Sequence, residues 1–333
     1  ADRQRFPGSA PGLMELADLA RWTPIRLEFS GSAPVVYWAD LSEERFVEPF
    51  FDQTVGQWAS GPRSTQLVRT GLEALVALDT EPSAEPAGVI FHLSRCGSTL
   101  VSRLLGTLPG VVVIAEPSPL NALLGLDPKL VDRAALTQVV RLLVRALGRR
   151  RHGDEQRLVL KCTSWNIRQR EILAEAFPDT PWIWVQRDPV RVLTSLLAEP
   201  PGWLRLQDWP QRAKQRFGID PATVPAMTRA EFAARALGSM LDAAAAADPA
   251  GRLCVDHADL PDAIWGRVAP HFGLDVDDAA VVRMTEESRF YSKDSAPQTF
   301  AGDTPEQRSV TDDVRQVAQR FAEPGYRLLA SHT

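Results

Sequence analysis

At 333 residues, 44% hydrophobic and 24% charged, the chain has the composition of a globular protein with room for one large α/β domain and an extension. A formal net charge of -5 argues against a general nucleic-acid binder and leaves only a local basic pocket open. No run approaches the ~20 apolar residues of a membrane helix. The opening residues do not read as a signal peptide, and three scattered cysteines lack metal-ligand spacing and imply no disulfide framework, so a reducing cytoplasm is the expected compartment. Only four basic residues are lysine (Lys129, Lys161, Lys214 and Lys293), so an arginine in itself signals little and a well-placed lysine more.

In chain order, residues 1–85 hold short apolar patches and a helical piece at 67–78, and read as an N-terminal extension. Residues 80–87, rich in proline and small residues, read as a linker. From 86 to 333 apolar strands alternate with helical patterns. The expected strands are 89–93, 111–114, 157–161, 182–186 and 252–256; the expected helices are 98–107, 129–150, 166–176, 189–198, 228–247 and 310–322. Short apolar strands of this kind are covered on both faces. The expected fold is therefore an open, doubly wound parallel α/β sheet flanked by helices, which binds ligands beyond the carboxyl ends of its strands.

The first such strand runs into Ser94-Arg95-Cys96-Gly97-Ser98-Thr99 and a helix. Ser98 and Thr99 fall where first-turn N–H groups are unpaired and the helix dipole favours an anion; Gly97 lets the backbone approach, and Arg95 adds a permanent charge. The loop departs from the nucleotide-triphosphatase pattern. Gly88 lies nine residues before Gly97, and Ser98 stands where the lysine belongs. That departure tells against γ-phosphoryl transfer, although an ATP-dependent small-molecule kinase stays as a rival, with Asp188 as its magnesium carboxylate.

At this loop the chain resembles the PAPS-dependent sulfotransferases, whose first motif runs proline, lysine or arginine, serine, glycine, threonine, threonine. The arginine variant is that of the protein-tyrosine branch, and Cys96 replaces the usual serine. The family's second motif is an arginine followed eight residues on by a serine, matched by Arg187 and Ser195. The resemblance covers residues 88 to 333 and implies a P-loop-like fold. It also implies that the loop (Arg95, Cys96, Gly97, Ser98, Thr99) holds the 5′-phosphosulfate of 3′-phosphoadenosine 5′-phosphosulfate (PAPS; product PAP), and that Arg187 and Ser195 hold its 3′-phosphate.

Lys161 ends an apolar strand, as a lysine does in the protein-tyrosine branch, where it faces the sulfuryl group. The histidine base of the cytosolic branch is replaced by Thr163. In the protein-tyrosine and some bacterial sulfotransferases a glutamate stands about twenty residues after the loop arginine. Here Glu116 stands 21 after Arg95, followed by Pro117, which is expected to impose an extended approach. The expected base is Glu116, with His92 as the alternative, and Arg95 and Lys161 are expected to stabilise the leaving and sulfuryl oxygens. Lys293 is the expected third nucleotide contact, unless it belongs to a surface loop. Arg149 to Arg151 read as a helix end complementing the dipole.

The acceptor is expected to be a small-molecule hydroxyl compound, with no nucleic acid or membrane partner and no metal. The N-terminal aromatics, Phe50 and Phe51 among them, form part of an acceptor pocket or their own core. The stretch 200–209 resembles an acceptor-side lid. A protein of the same fold that binds nucleotide without catalysis is the remaining rival, and Glu116 with Lys161 tells against it.

Overall fold

The computed structural model describes residues 16–29, 33–62, 64, 67–127, 129–290 and 310–331. The N-terminal extension builds a three-stranded antiparallel sheet from β1 (Thr23–Glu28), β2 (Val35–Ala39) and β3 (Leu67–Thr70), with α1 (Phe51–Ser60) between β2 and β3 and α2 (Glu73–Ala77) after them. Val36 and Trp38 of β2 alternate inward and are fully buried, as period 2 requires for a sheet with one covered face. The Trp38 indole N–H donates to Thr70 Oγ1 at 2.8 Å.

Residues 67–78 are thus not one helix. Val68 and Thr70 pair with β2, some thirty residues upstream, and only the five residues of α2 are helical. Tertiary pairing overrides a short helical pattern.

The main sheet has five parallel strands in the order β5-β6-β4-β7-β8. These are β4 (Glu85–His92), β5 (Val111–Ala115), β6 (Arg157–Lys161), β7 (Trp182–Gln186) and β8 (Arg252–Asp256). The last three span the expected residues. β4 starts four residues early, because Glu85 and Pro86 of the supposed linker pair with Arg157 and Leu158 of β6.

Helices α3 (Ser98–Leu105), α4 (Ser118–Leu123), α5 (Arg133–Leu147), α6 (Arg170–Ala176), α7 (Pro189–Ala198), α8 (Pro210–Phe217) and α9 (Arg229–Ala246) follow or cover these strands. Helices α5, α7 and α9 begin where Asp132, Asp188 and Thr228 cap the first free N–H groups. Chain order leaves β4 toward β5 on one side and crosses to β7 on the other. The strand order therefore reverses beside β4, the place where such sheets bind ligands.

Both sheets share one core, with β1 packed on α4 and α5. Arg149 to Arg151 do not complement a helix dipole, since α5 ends at Leu147. Arg149 is buried, donates to the carbonyl oxygens of Leu19 and Ala20, and lies over the Trp38 ring. Arg151 lies over the Phe46 ring, 4.1 Å from its centroid. Burial pulls both guanidinium groups down to about 10. These arginines tie the extension to the main domain. No helix among the described residues is long and apolar enough to cross a membrane.

Candidate active site

A cleft of about 780 Å³ opens at the carboxyl ends of all five parallel strands, a size suited to a nucleotide-sized ligand. The β4 end supplies His92 and the loop from Ser94 to Thr99; β5 supplies Glu116; β6 supplies Thr163 and Ser164; β7 supplies Arg187; and β8 supplies His257. Ser195 of α7 lines it as well.

The loop after β4 has backbone geometry that its sequence demands. Gly97 has φ 88°, and a Cβ there would lie 2.8 Å from Leu260 and 2.9 Å from the His257 ring, so only glycine fits. Ser98 and Thr99 form the buried first turn of α3, whose N–H groups have no partner within the helix. Arg95 has φ 60° and Glu116 φ 55°, the only non-glycine residues with positive φ among those described. Strain of this kind persists where the surroundings over-determine it and clusters at functional sites. The left-handed Glu116 also corrects the expectation that Pro117 imposes an extended approach at that residue. Pro117 itself is extended, at φ -65° and ψ 127°, and α4 starts immediately after it.

Glu116 is the centre of a buried charge cluster. Its N–H donates to the Lys161 carbonyl at 2.7 Å, which places the turn over the end of β6. The Lys161 ammonium donates to Glu116 Oε1, and His92 Nε2 lies 3.5 Å from the same oxygen. Lys161 is fully buried and lies behind Glu116 rather than on the cleft wall. Burial pushes the Glu116 carboxyl up, but the Lys161 charge and the His92 contacts outweigh it and hold it down at about 2. Burial and the Lys161 charge press the His92 imidazolium down. The neighbouring Cys96 side chain and Glu116 carboxylate prevail, raising it to about 9. His92 Nδ1–H donates to the Leu93 carbonyl at 3.0 Å, so Nε2 is the nitrogen that meets the carboxylate.

Arg95 turns toward the cleft mouth, where Nη2 donates to Glu199 Oε2 at 2.7 Å and to the Glu199 carbonyl at 2.9 Å. Arg187 is nine-tenths buried at the end of β7. Asp188, the tempting magnesium ligand, accepts the Arg191 N–H at 2.9 Å as the cap of α7. Among the described residues no group of three or more His, Cys, Asp or Glu side chains could hold a metal ion. Lys293, the expected third nucleotide contact, lies outside the described residues.

Several site residues carry no sequence motif. Ser94 Oγ donates to Ser164 Oγ at 3.0 Å and accepts the Trp203 indole N–H at 3.1 Å, so three walls of the cleft are pinned together. Trp203 belongs to the 200–209 stretch, whose residues Pro200 to Trp203 line the cleft while Trp209 faces solvent. His257 Nδ1–H donates to the Cys96 carbonyl at 3.3 Å. Its position directly after β8 is the one signal that could have found it. Of the N-terminal aromatics, Trp22, Trp38, Phe51 and Trp58 are core, whereas Phe50 reaches the cleft.

No protein-family model matches the chain, and no curated protein matches it. Solved structures do. Sulfotransferase STF1 from Mycobacterium tuberculosis H37Rv is 18% identical, with 74% of this chain and 78% of that one covered at a TM-score of 0.42. Sulfotransferase STF9 from Mycobacterium avium is 13% identical, with 78% of each chain covered at a TM-score of 0.44. Mouse sulfotransferase SULT7A1, complexed with PAP, is 10% identical, with 78% of this chain and 93% of that one covered at a TM-score of 0.37. All three of these solved structures are sulfotransferases.

Proposed function

We propose that the chain transfers a sulfuryl group from PAPS to the hydroxyl of a small molecule. The observation that carries this reading is a carboxylate, Glu116, held ionised on the wall of a cleft that also collects a helix N-terminus, Arg95 and Arg187. Such a cleft suits a nucleotide that is anionic at both its 5′ and its 3′ end and an acceptor that must lose a proton.

PAPS supplies the sulfuryl group and the phosphate that departs from it. Ser98, Thr99 and the first-turn amides of α3 bind the 5′ end, with Arg95 released from Glu199 to join them. Arg187 offers its guanidinium fork, and Ser195 its hydroxyl, to the 3′-phosphate.

Both contacts to the Glu116 carboxylate among the described residues fall on Oε1, while the residue lines the cleft. Its second oxygen is therefore the one placed to take the acceptor proton. A carboxylate this acidic is always ionised at neutral pH, and the hydroxyl becomes a strong acid as its oxygen bonds to sulfur. His92, shifted toward its protonated form beside the Glu116 carboxylate, is the less favoured base in this arrangement. The kinase reading loses support because Asp188 is engaged as a helix cap.

The test is incubation with PAPS and a panel of hydroxyl compounds, read by mass spectrometry for sulfate esters with and without EDTA. Sulfation that persists in EDTA is expected. Thermal shifts give a second readout: adenosine 3′,5′-bisphosphate should stabilise the protein more than ADP, and Arg187→Ala should weaken bisphosphate binding by roughly 2–5 kcal/mol. Equal shifts with both nucleotides would refute the role of Arg187 and Ser195.

A further inference from the structure

Among the described residues, Phe50 is the one through which the N-terminal extension reaches the cleft. It is held rigidly: its N–H donates to Gln53 Oε1 at 3.1 Å, and its carbonyl accepts the Gln53 N–H at 3.0 Å. The next residue, Phe51, is anchored in the core with only 2% exposure. The presented Phe50 ring covers the Lys161 ammonium, with Nζ 4.9 Å from the ring centroid.

Lys161 has no exposed side-chain surface, and its one carboxylate partner among the described residues is Glu116. A buried ammonium with a single counter-charge needs another electron-rich surface, and an aromatic face supplies it. The extension touches this neighbourhood a second time. Asp52 of α1 accepts a hydrogen bond from Ser118, the first residue of α4 and two residues beyond Glu116. The extension thus grips both the cation behind Glu116 and the turn that carries it.

We propose that the N-terminal extension is part of the active site, with Phe50 a positioning residue that keeps the Lys161 ammonium dry and seated on Glu116. The inference rests on the reading of Glu116 as the base and assigns Lys161 to the carboxylate rather than to the leaving group. With the ring gone, water reaches Nζ, the ammonium turns outward, and Glu116 loses the cation that keeps it ionised and oriented. The groups facing Glu116 are His92 from β4, Lys161 at the end of β6, the Cys162 thiol just after it and Asp52 from α1, while Cys96 of the loop acts on His92.

The experiment uses the full chain with Phe50→Leu, which keeps apolar bulk without a π face, and Phe50→Tyr, which keeps the face. Phe50→Met serves if the leucine variant does not fold. The first readout needs no activity: an NMR titration of labelled histidine, with the His92 signal assigned by its loss in His92→Gln. Withdrawal of the Lys161 charge should move the His92 midpoint upward by about half a pH unit or more in Phe50→Leu. Phe50→Tyr should restore it.

The second readout is turnover of PAPS with 2-naphthol. Phe50→Leu should lower kcat roughly 5- to 20-fold, raise the pH of the acid limb and leave bisphosphate affinity unchanged. It should add nothing in a Glu116→Gln background, as expected for residues acting as one unit. An unmoved His92 midpoint overturns the proposal. So does a rise in acceptor KM alone, which would make Phe50 an acceptor wall. A moved midpoint beside a Glu116→Gln variant of normal turnover keeps the positioning geometry and removes Glu116 as the base.

Discussion

At the residue scale the chemistry concentrates on one carboxylate oxygen contacted by two cations. Glu116→Gln preserves shape but cannot accept a proton, so turnover should fall roughly 10²- to 10⁴-fold with bisphosphate affinity nearly unchanged. Steady-state kinetics beside calorimetric titration would check both halves. The same cluster sets a pH dependence of stability. The folded-state value of His92, about 9, lies above its ordinary 6.5, so its contribution is complete below pH 6.5 and disappears as pH rises through 9. Glu116, depressed to about 2 from 4.5, has the opposite sign: its contribution is present above pH 4.5 and is lost as pH falls through 2. Urea unfolding should show lower stability at pH 9 than at pH 6, and His92→Gln should flatten that difference. An unchanged slope in the variant would locate the titration elsewhere.

At the element scale the decisive feature is the turn from β4 into α3. It works because Gly97 takes a conformation that costs an L-residue about 1–2 kcal/mol and because a side chain there would strike Leu260 and His257. Gly97→Ala should therefore displace the loop and abolish the thermal shift produced by adenosine 3′,5′-bisphosphate, while far-ultraviolet dichroism stays native. A variant that still binds the bisphosphate normally would show that the loop tolerates the shift. The pairing of Arg95 with Glu199 belongs to this scale too. Glu199, at the C-terminal end of α7, occupies the loop cation.

At the scale of the whole molecule, elements far from the cleft hold its walls in place. Gly238 of α9 faces the Phe321 carbonyl, and a Cβ would sit 2.0 Å from that oxygen; Gly325 likewise approaches Leu241. Two small residues thus let the C-terminal helices pack directly on α9, the long helix that also supports α7. Gly238→Ala should cost roughly 1–3 kcal/mol from overpacking, read as a lower midpoint in chemical denaturation. The N-terminal extension is integrated in the same way, through Arg149 on the carbonyl groups of Leu19 and Ala20.

What the sequence determined by itself is local: the apolar runs of β6, β7 and β8, the span of α7, and the loop from Ser94 to Thr99. In each, the pattern and the structure it dictates lie within a few residues, so no distant partner is needed to read them. What only the tertiary structure decided joins residues far apart in the chain. Lys161 seats on Glu116 across 45 positions, Arg95 meets Glu199 across 104, and His257 meets the Cys96 carbonyl across 161. The sequence placed Lys161 at a strand end, and its turn toward Glu116 followed from β5 lying beside β6. Likewise β3 is a strand and not a helix because β2 offers an unpaired edge, and Phe50 matters because the extension docks where it does. These are consequences of strand order and burial, which set which charges lose water together, and no single stretch of the chain carries them.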